Sequence, residues 1–269
     1  MKQRLEQLYL DRHETADAVH SLTVGEIAVF SASSPLPDAA NEDAAAVIEV
    51  DRGTAVLAVA DGLGGQPDGQ RASGLALKSL RDAITEVEDG EDLREAILSG
   101  FERANQAVIS LGTGAATTLA VAEIHDRAVR TFHTGDSGIV VFGGRGKVTL
   151  QTISHSPVGY AVEAGVLDEH MAMAHEDRHV VSNVVGDPAM HVTMGSRLRL
   201  KRRDTVVVAS DGLFDNLFVG EIVERLRKGA LAQSMASLVH ECRKRMDDSS
   251  GDQPGKPDDL TVVSFRRSS

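Results

Sequence analysis

Cysteine is almost missing from this chain: Cys242 stands alone among 269 residues. No intrachain disulfide can form. Cys242 recurs with Met235, Leu238, Val239 and Met246 at helical spacing, which predicts a thiol buried in a helix face and excludes a thiol nucleophile. Long hydrophobic runs are also lacking. None approaches the ~20 residues that span a bilayer, and residues 1–12 are charged where a secretory signal has an apolar core. A cytoplasmic location is the expectation. Positive charge is short as well, with 28 Lys and Arg against 40 Asp and Glu for a net charge of −12. Such a surface repels nucleic acid and anionic membrane, and neither is expected as a partner. The glycine-rich residues 62–69 lack the Gly-Lys-Ser/Thr ending of a nucleotide-binding loop.

Apolar residues make up 42% and charged residues 25%, an ordinary globular balance with ample material for a core. Residues 1–20 read as a polar arm or helix, and residues 21–269 as a single domain. Strands are predicted at 26–31, 44–50, 54–60, 117–124, 128–134, 137–142, 148–152, 197–200, 205–209 and 261–265. Helices are predicted at 72–84, 92–111, 221–227 and 233–246. Strands come in groups with paired helices between them. That order predicts an α+β fold of packed sheets flanked by helices, not a parallel doubly wound sheet. Residues 247–257 are polar, rich in Gly, Ser and Pro, and read as a mobile loop. His170, His175 and His179 lack zinc-ligand spacing and read as exposed residues.

The most informative feature is a pattern that occurs twice. Residues 56–62 spell VLAVADG and residues 206–212 spell VVVASDG. Each is a continuous apolar run, as in a strand buried on both faces, followed at once by Asp-Gly. Such a strand delivers its terminal carboxylate to a fixed point, and the glycine permits a sharp turn and close approach. Asp-Gly is equally a common turn dipeptide. Asp258-Asp259, however, stands directly before the strand at 261–265, Glu42-Asp43 before another, and Asp215 four residues after Asp211. Carboxylates gathered in this number repel one another without a cation, and hard oxygen donors suit Mg2+ or Mn2+.

Asn41-Glu42-Asp43, Asp61-Gly62-Leu63-Gly64-Gly65, residues 114–118, Gly135-Asp136-Ser137, residues 210–215 and Asp258-Asp259-Leu260-Thr261 occur in this order. In this the chain resembles the metal-dependent Ser/Thr protein phosphatases of type 2C, in a bacterial-like form. The resemblance implies a four-layer sandwich, two central antiparallel sheets between helices, with two Mn2+ or Mg2+ ions in a cleft at one end. It implies that Asp61 bridges the metals and that the Gly62 carbonyl binds one. Asp211 and Asp258 would complete the first site, and Glu42 would act on the second through water. Asp43 would orient the attacking water. Asp136, Asp215 and Asp259 would belong to an additional metal or to the surrounding carboxylate shell. The implied reaction is hydrolysis of phosphoserine and phosphothreonine in proteins by a metal-activated water, opposing a Ser/Thr kinase.

Three departures qualify the resemblance. Asp38 stands where the family usually has a phosphate-binding Arg, and an anion there opposes a phosphate dianion. Leu63 replaces the His of animal members. Ser154, followed by His155, replaces an Asp of a third metal site, so that site is expected to be weak or absent. Residues 154–185, with Ser154, His155 and Tyr160, resemble the substrate flap beside the bacterial active site. Asp38 motivates the alternative of a catalytically weak relative that binds metal and a partner protein as a regulator.

Overall fold

The computed structural model describes residues 5–10, 14–36, 40–63, 68–87, 92–247 and 254–268. Two antiparallel sheets form its centre. The first runs in the order β1 (Glu6–Tyr9), β4 (Asp43–Glu49), β5 (Thr54–Asp61), β6 (Leu119–His125), β7 (Ala128–Thr134) and β10 (Thr193–Met194), with β11 (Leu198–Arg199) also paired to β7. The second runs β2 (Glu14–Ser21), β3 (Gly25–Ala32), β13 (Leu260–Arg267), β12 (Thr205–Ala209), β8 (Gly138–Phe142) and β9 (Val148–Gln151). Helices α1 (Gly69–Thr85) and α2 (Arg94–Ile109) cover the first sheet. Helices α6 (Val219–Leu226) and α7 (Leu231–Asp247) cover the second. The α+β sandwich of four layers is therefore present.

Alternation explains the unbroken apolar runs. In β4 and β5, Ala44, Ala46, Ile48, Val56, Ala58 and Ala60 pack under α1 and α2. The intervening Ala45, Val47, Leu57 and Val59 meet Ile27, Val29, Val206, Val208, Val263 and Phe265 of the other sheet. Both faces of each strand are buried, so both parities must be apolar. Alanine alternating with larger residues lets the layers approach closely. Asp43 and Asp61 share the parity of Ala45 and Val59, and they are directly paired across β4 and β5. The strand period thus aims both carboxylates into the gap between the sheets, at its end.

The N-terminal segment differs from expectation. Instead of an arm or helix, residues 6–9 pair with β4 and residues 14–21 with β3, each closing the edge of a sheet. Edge pairing needs little apolar content of its own, which is why the sequence there looks polar. Cys242 is fully buried on α7, as its spacing predicts. Among the described residues no helix is long and apolar enough to cross a membrane.

Leu57 is completely buried between the sheets. Leu57→Ala should lower unfolding free energy by about 3 kcal/mol in urea denaturation. A loss under about 1 kcal/mol would mean that the two sheets do not share one tightly packed layer.

Candidate metal centre

The two Asp-Gly pairs are more than turns. A Cβ on Gly62 would lie 2.4 Å from the Gly69 carbonyl, and one on Gly212 would lie 1.9 Å from the Asp259 carbonyl oxygen. Glycine is required at both, because backbone presses on backbone. Gly62 seats Asp61 against the start of α1. Gly212 seats the short helix α5 (Asp211–Phe214) against Asp258-Asp259. Strand β13 is antiparallel to β12, so the residue before one strand and the residue after the other lie at the same edge.

A buried hydrogen-bond network holds this end of the sandwich. Ser210 Oγ donates to Asp43 Oδ2 at 2.6 Å, linking the sheets, and accepts the Thr261 N–H at 3.1 Å. Thr261 Oγ1 shares a hydrogen bond with Ser31 Oγ at 2.8 Å, and Asn41 Nδ2 donates to that Ser31 oxygen. Asn41 Oδ1 in turn accepts the Asp43 N–H at 3.0 Å. On the other side, the Asp61 N–H donates to Thr118 Oγ1 at 3.0 Å, and Thr118 Oγ1 pairs with Ser137 Oγ at 2.6 Å. The Asn-Glu-Asp, Gly-Asp-Ser and Thr-Thr motifs are thus the struts that fix the carboxylates.

Asp43, Asp61, Asp136, Asp211, Asp215, Asp258 and Asp259 come together here. Burial, and then the Asp43, Asp211, Asp136 and Asp258 charges, push the Asp61 carboxyl well above the usual range. Asp43 is likewise raised by burial and by Asp259. Burial with Asp211 raises Asp136 to about 8, Asp258 to about 7 and Asp215 to about 6. Glu42 lies at the rim, against Gly69, and is raised by burial and Asp259. Asp43 is only 2% exposed, and its Oδ1 has no hydrogen-bond partner among the described residues.

This donor set fits divalent cations. It is all hard oxygen, it carries more negative charge than its surroundings balance, and it leaves a buried carboxylate oxygen unpaired. Among the described residues no group of three or more His, Cys, Asp or Glu side chains is placed to hold a metal ion as it stands. The point on which Asp211, Asp215 and Asp258 do converge is the ammonium of Lys256, at 2.7, 2.9 and 2.8 Å.

Asp259 has a different task. Its Oδ1 accepts the Ser34 N–H at 2.7 Å and its Oδ2 the Glu42 N–H at 2.6 Å, so it staples the loop before β4 to the start of β13. An Asn there would turn an amino group toward one of those N–H donors. Asp38, Gly64 and Gly65 lie outside the described residues.

The segment 154–185 forms α3 (Pro157–Glu163), α4 (Glu169–Met173) and a 3-10 turn at Glu176–His179. With β8 and β9 it walls a cavity of about 310 Å³ that opens onto Asp136, Asp211 and Asp215. Ser154 lines this cavity and Tyr160 is 46% exposed. His155 departs from the expectation of a substrate-facing residue. It is buried, stacked on His133 with ring centroids 4.4 Å apart and beside His191 at 5.0 Å. Its Nδ1 accepts the Gly135 N–H and the Asn183 amide, and its Nε2–H donates to Thr193 Oγ1 at 2.9 Å. It therefore braces the loop that carries Asp136. The sequence hides this cluster, because its three histidines are far apart along the chain. It hides Lys256 for a related reason, since only the fold brings a loop lysine onto three carboxylates.

A family model described as protein phosphatase 2C matches residues 37–249. Protein phosphatase PhpP of Streptococcus pneumoniae is 30% identical over 177 residues, covering 63% of this chain and 72% of that protein. The serine/threonine phosphatase of S. agalactiae superposes with a TM-score of 0.77 at 26% identity, over 89% of this chain and 98% of its own. The catalytic domain of the phosphatase PstP in complex with two manganese ions superposes with a TM-score of 0.74 at 23% identity, over 91% and 99%. The last likeness is one of fold.

Burial, with the neighbouring His133 and His191, lowers the His155 imidazole from 6.5 to about 4. The unfolded chain therefore takes up this proton first as pH falls. The stability that neutral His155 contributes is complete above pH 6.5 and is lost toward pH 4. Between pH 7 and 5 the loss should be about 1–2 kcal/mol. His155→Gln should remove it, so the stability gap between wild type and variant should narrow by that amount in denaturant titrations. Parallel curves would contradict the assignment.

Proposed function

We propose that the chain, which belongs to the protein phosphatase 2C family, carries out its chemistry at this carboxylate centre with two divalent ions, Mn2+ or Mg2+. As a member it is a metal-dependent serine/threonine protein phosphatase, acting on phosphoproteins. The observation that carries the proposal is the convergence of Asp43, Asp61, Asp211 and Asp258, from both sheets, on one end of the sandwich. When bound, the ions supply a water of lowered pKa and neutralise charge on the phosphoryl oxygens.

The residues divide the work. Asp61, the Gly62 carbonyl, Asp211 and Asp258 would hold the ions, and Glu42 would act from the rim through water. Asp43 orients the attacking water through Oδ1, since Oδ2 is committed to Ser210. Asp136 and Asp215 line the adjoining cavity and serve as the surrounding carboxylate shell. With such a water supplied by the ions, no protein nucleophile would be needed. Residues 154–185 act as the flap that selects substrates, the cavity taking the side chains that flank the phosphate. The catalytic unit includes the two N-terminal strands as well as residues 21–269. An opposing Ser/Thr kinase and a cytoplasmic location belong to the same proposal.

The test uses the full chain after chelator treatment. Hydrolysis of an aryl phosphate and a phosphothreonine peptide should return on adding Mn2+. Asp211→Asn should lower kcat by ~100-fold, the scale of losing one electrostatic partner of the reacting group. Turnover unaffected by chelation, or an Asp211→Asn enzyme as active as wild type, would sink the proposal.

A further inference from the structure

Lys256 is built into the carboxylate centre, not leaning over it. Its backbone N–H donates to Asn216 Oδ1 at 2.8 Å, and its carbonyl accepts from Asn216 Nδ2 at 2.9 Å. Asn216 is completely buried, and its Nδ2 also donates to the Gly212 carbonyl at 2.9 Å. One amide therefore ties Lys256 to the Asp-Gly turn that carries Asp211. Within the stretch expected to be a mobile loop, Lys256 is anchored at both its N–H and its carbonyl.

The side chain completes the arrangement. An ammonium has three N–H donors, and here they meet Asp211 Oδ2, Asp215 Oδ2 and Asp258 Oδ2. Asp211 and Asp258 are the same residues that would hold a divalent ion. A cation on those oxygens and an ammonium less than 3 Å from them repel one another strongly at such range.

We propose that Lys256 is an internal counter-ion that competes with the divalent metal for Asp211 and Asp258, so that metal binds only by displacing it. The inference rests on the metal reading given above. Before metal arrives, Lys256 keeps like charges assembled without letting them push the end of the sandwich apart. Once metal arrives, the ammonium is released toward solvent beside the site. The cost of that exchange sets how much metal the enzyme needs.

Two measurements on the full chain test this. Calorimetric titration of the chelator-treated protein with MnCl2 should give at least a 10-fold tighter Kd for Lys256→Met and Lys256→Gln than for wild type. Their metal-free forms should melt at lower temperature, with a larger rise on adding Mn2+. The second measurement needs no variant: amine-reactive labelling of wild type, read by mass spectrometry, should leave Lys256 protected without Mn2+ and modified with it. Unchanged or weaker Mn2+ affinity in the variants, or labelling indifferent to Mn2+, overturns the counter-ion role alone. Absence of Mn2+ binding in wild type and variants alike overturns the metal reading beneath it.

Discussion

Repulsion among carboxylates is the constraint on which this structure turns. The sandwich gathers Asp43, Asp61, Asp136, Asp211, Asp215 and Asp258 in one small volume, and burial raises the cost of charging those whose carboxyls it pushes upward. No local propensity favours that. It is held because each carboxylate sits on an element whose other residues are committed to the core. Asp43 and Asp61 continue strands that are apolar on both faces, and Asp211 follows a third. The hydrophobic layers thus supply the force that keeps the charges together, and the charges make the site a place where a cation is needed.

The surrounding polar residues act as spacers for that force. Ser210 crosses from one sheet to Asp43 of the other, and Thr118 with Ser137 fixes the backbone of Asp61. Gly62 and Gly212 allow contacts that no side chain would permit. The result is a preorganised set of oxygens, which is what metal-assisted phosphoryl hydrolysis requires of a protein. The hydrolysis itself leaves little for protein nucleophiles to do.

Much of this was legible in the residues. Continuous apolar runs ending in Asp-Gly identified β5 and β12 and their terminal carboxylates, because a strand buried on both faces has no room for polar alternation. The order of motifs identified the sandwich and the family. Other parts were not legible, for physical reasons. Residues 6–9 and 14–21 are polar edge strands whose pairing is set by the neighbouring strand. His155 looked like a flap residue because it follows Ser154, yet its bonds to Gly135 and Asn183 hold it inward against His133. Lys256 sat in a loop of disorder-prone composition, and only Asn216, forty residues earlier, reveals that it is anchored.

The most direct test of the central claim is crystallographic. Crystals of the full chain soaked in MnCl2 and measured at the manganese absorption edge should show anomalous density between Asp61, Asp211 and Asp258, with the Lys256 ammonium moved away. Manganese found only on the surface, with Lys256 still joined to all three carboxylates, would contradict the account.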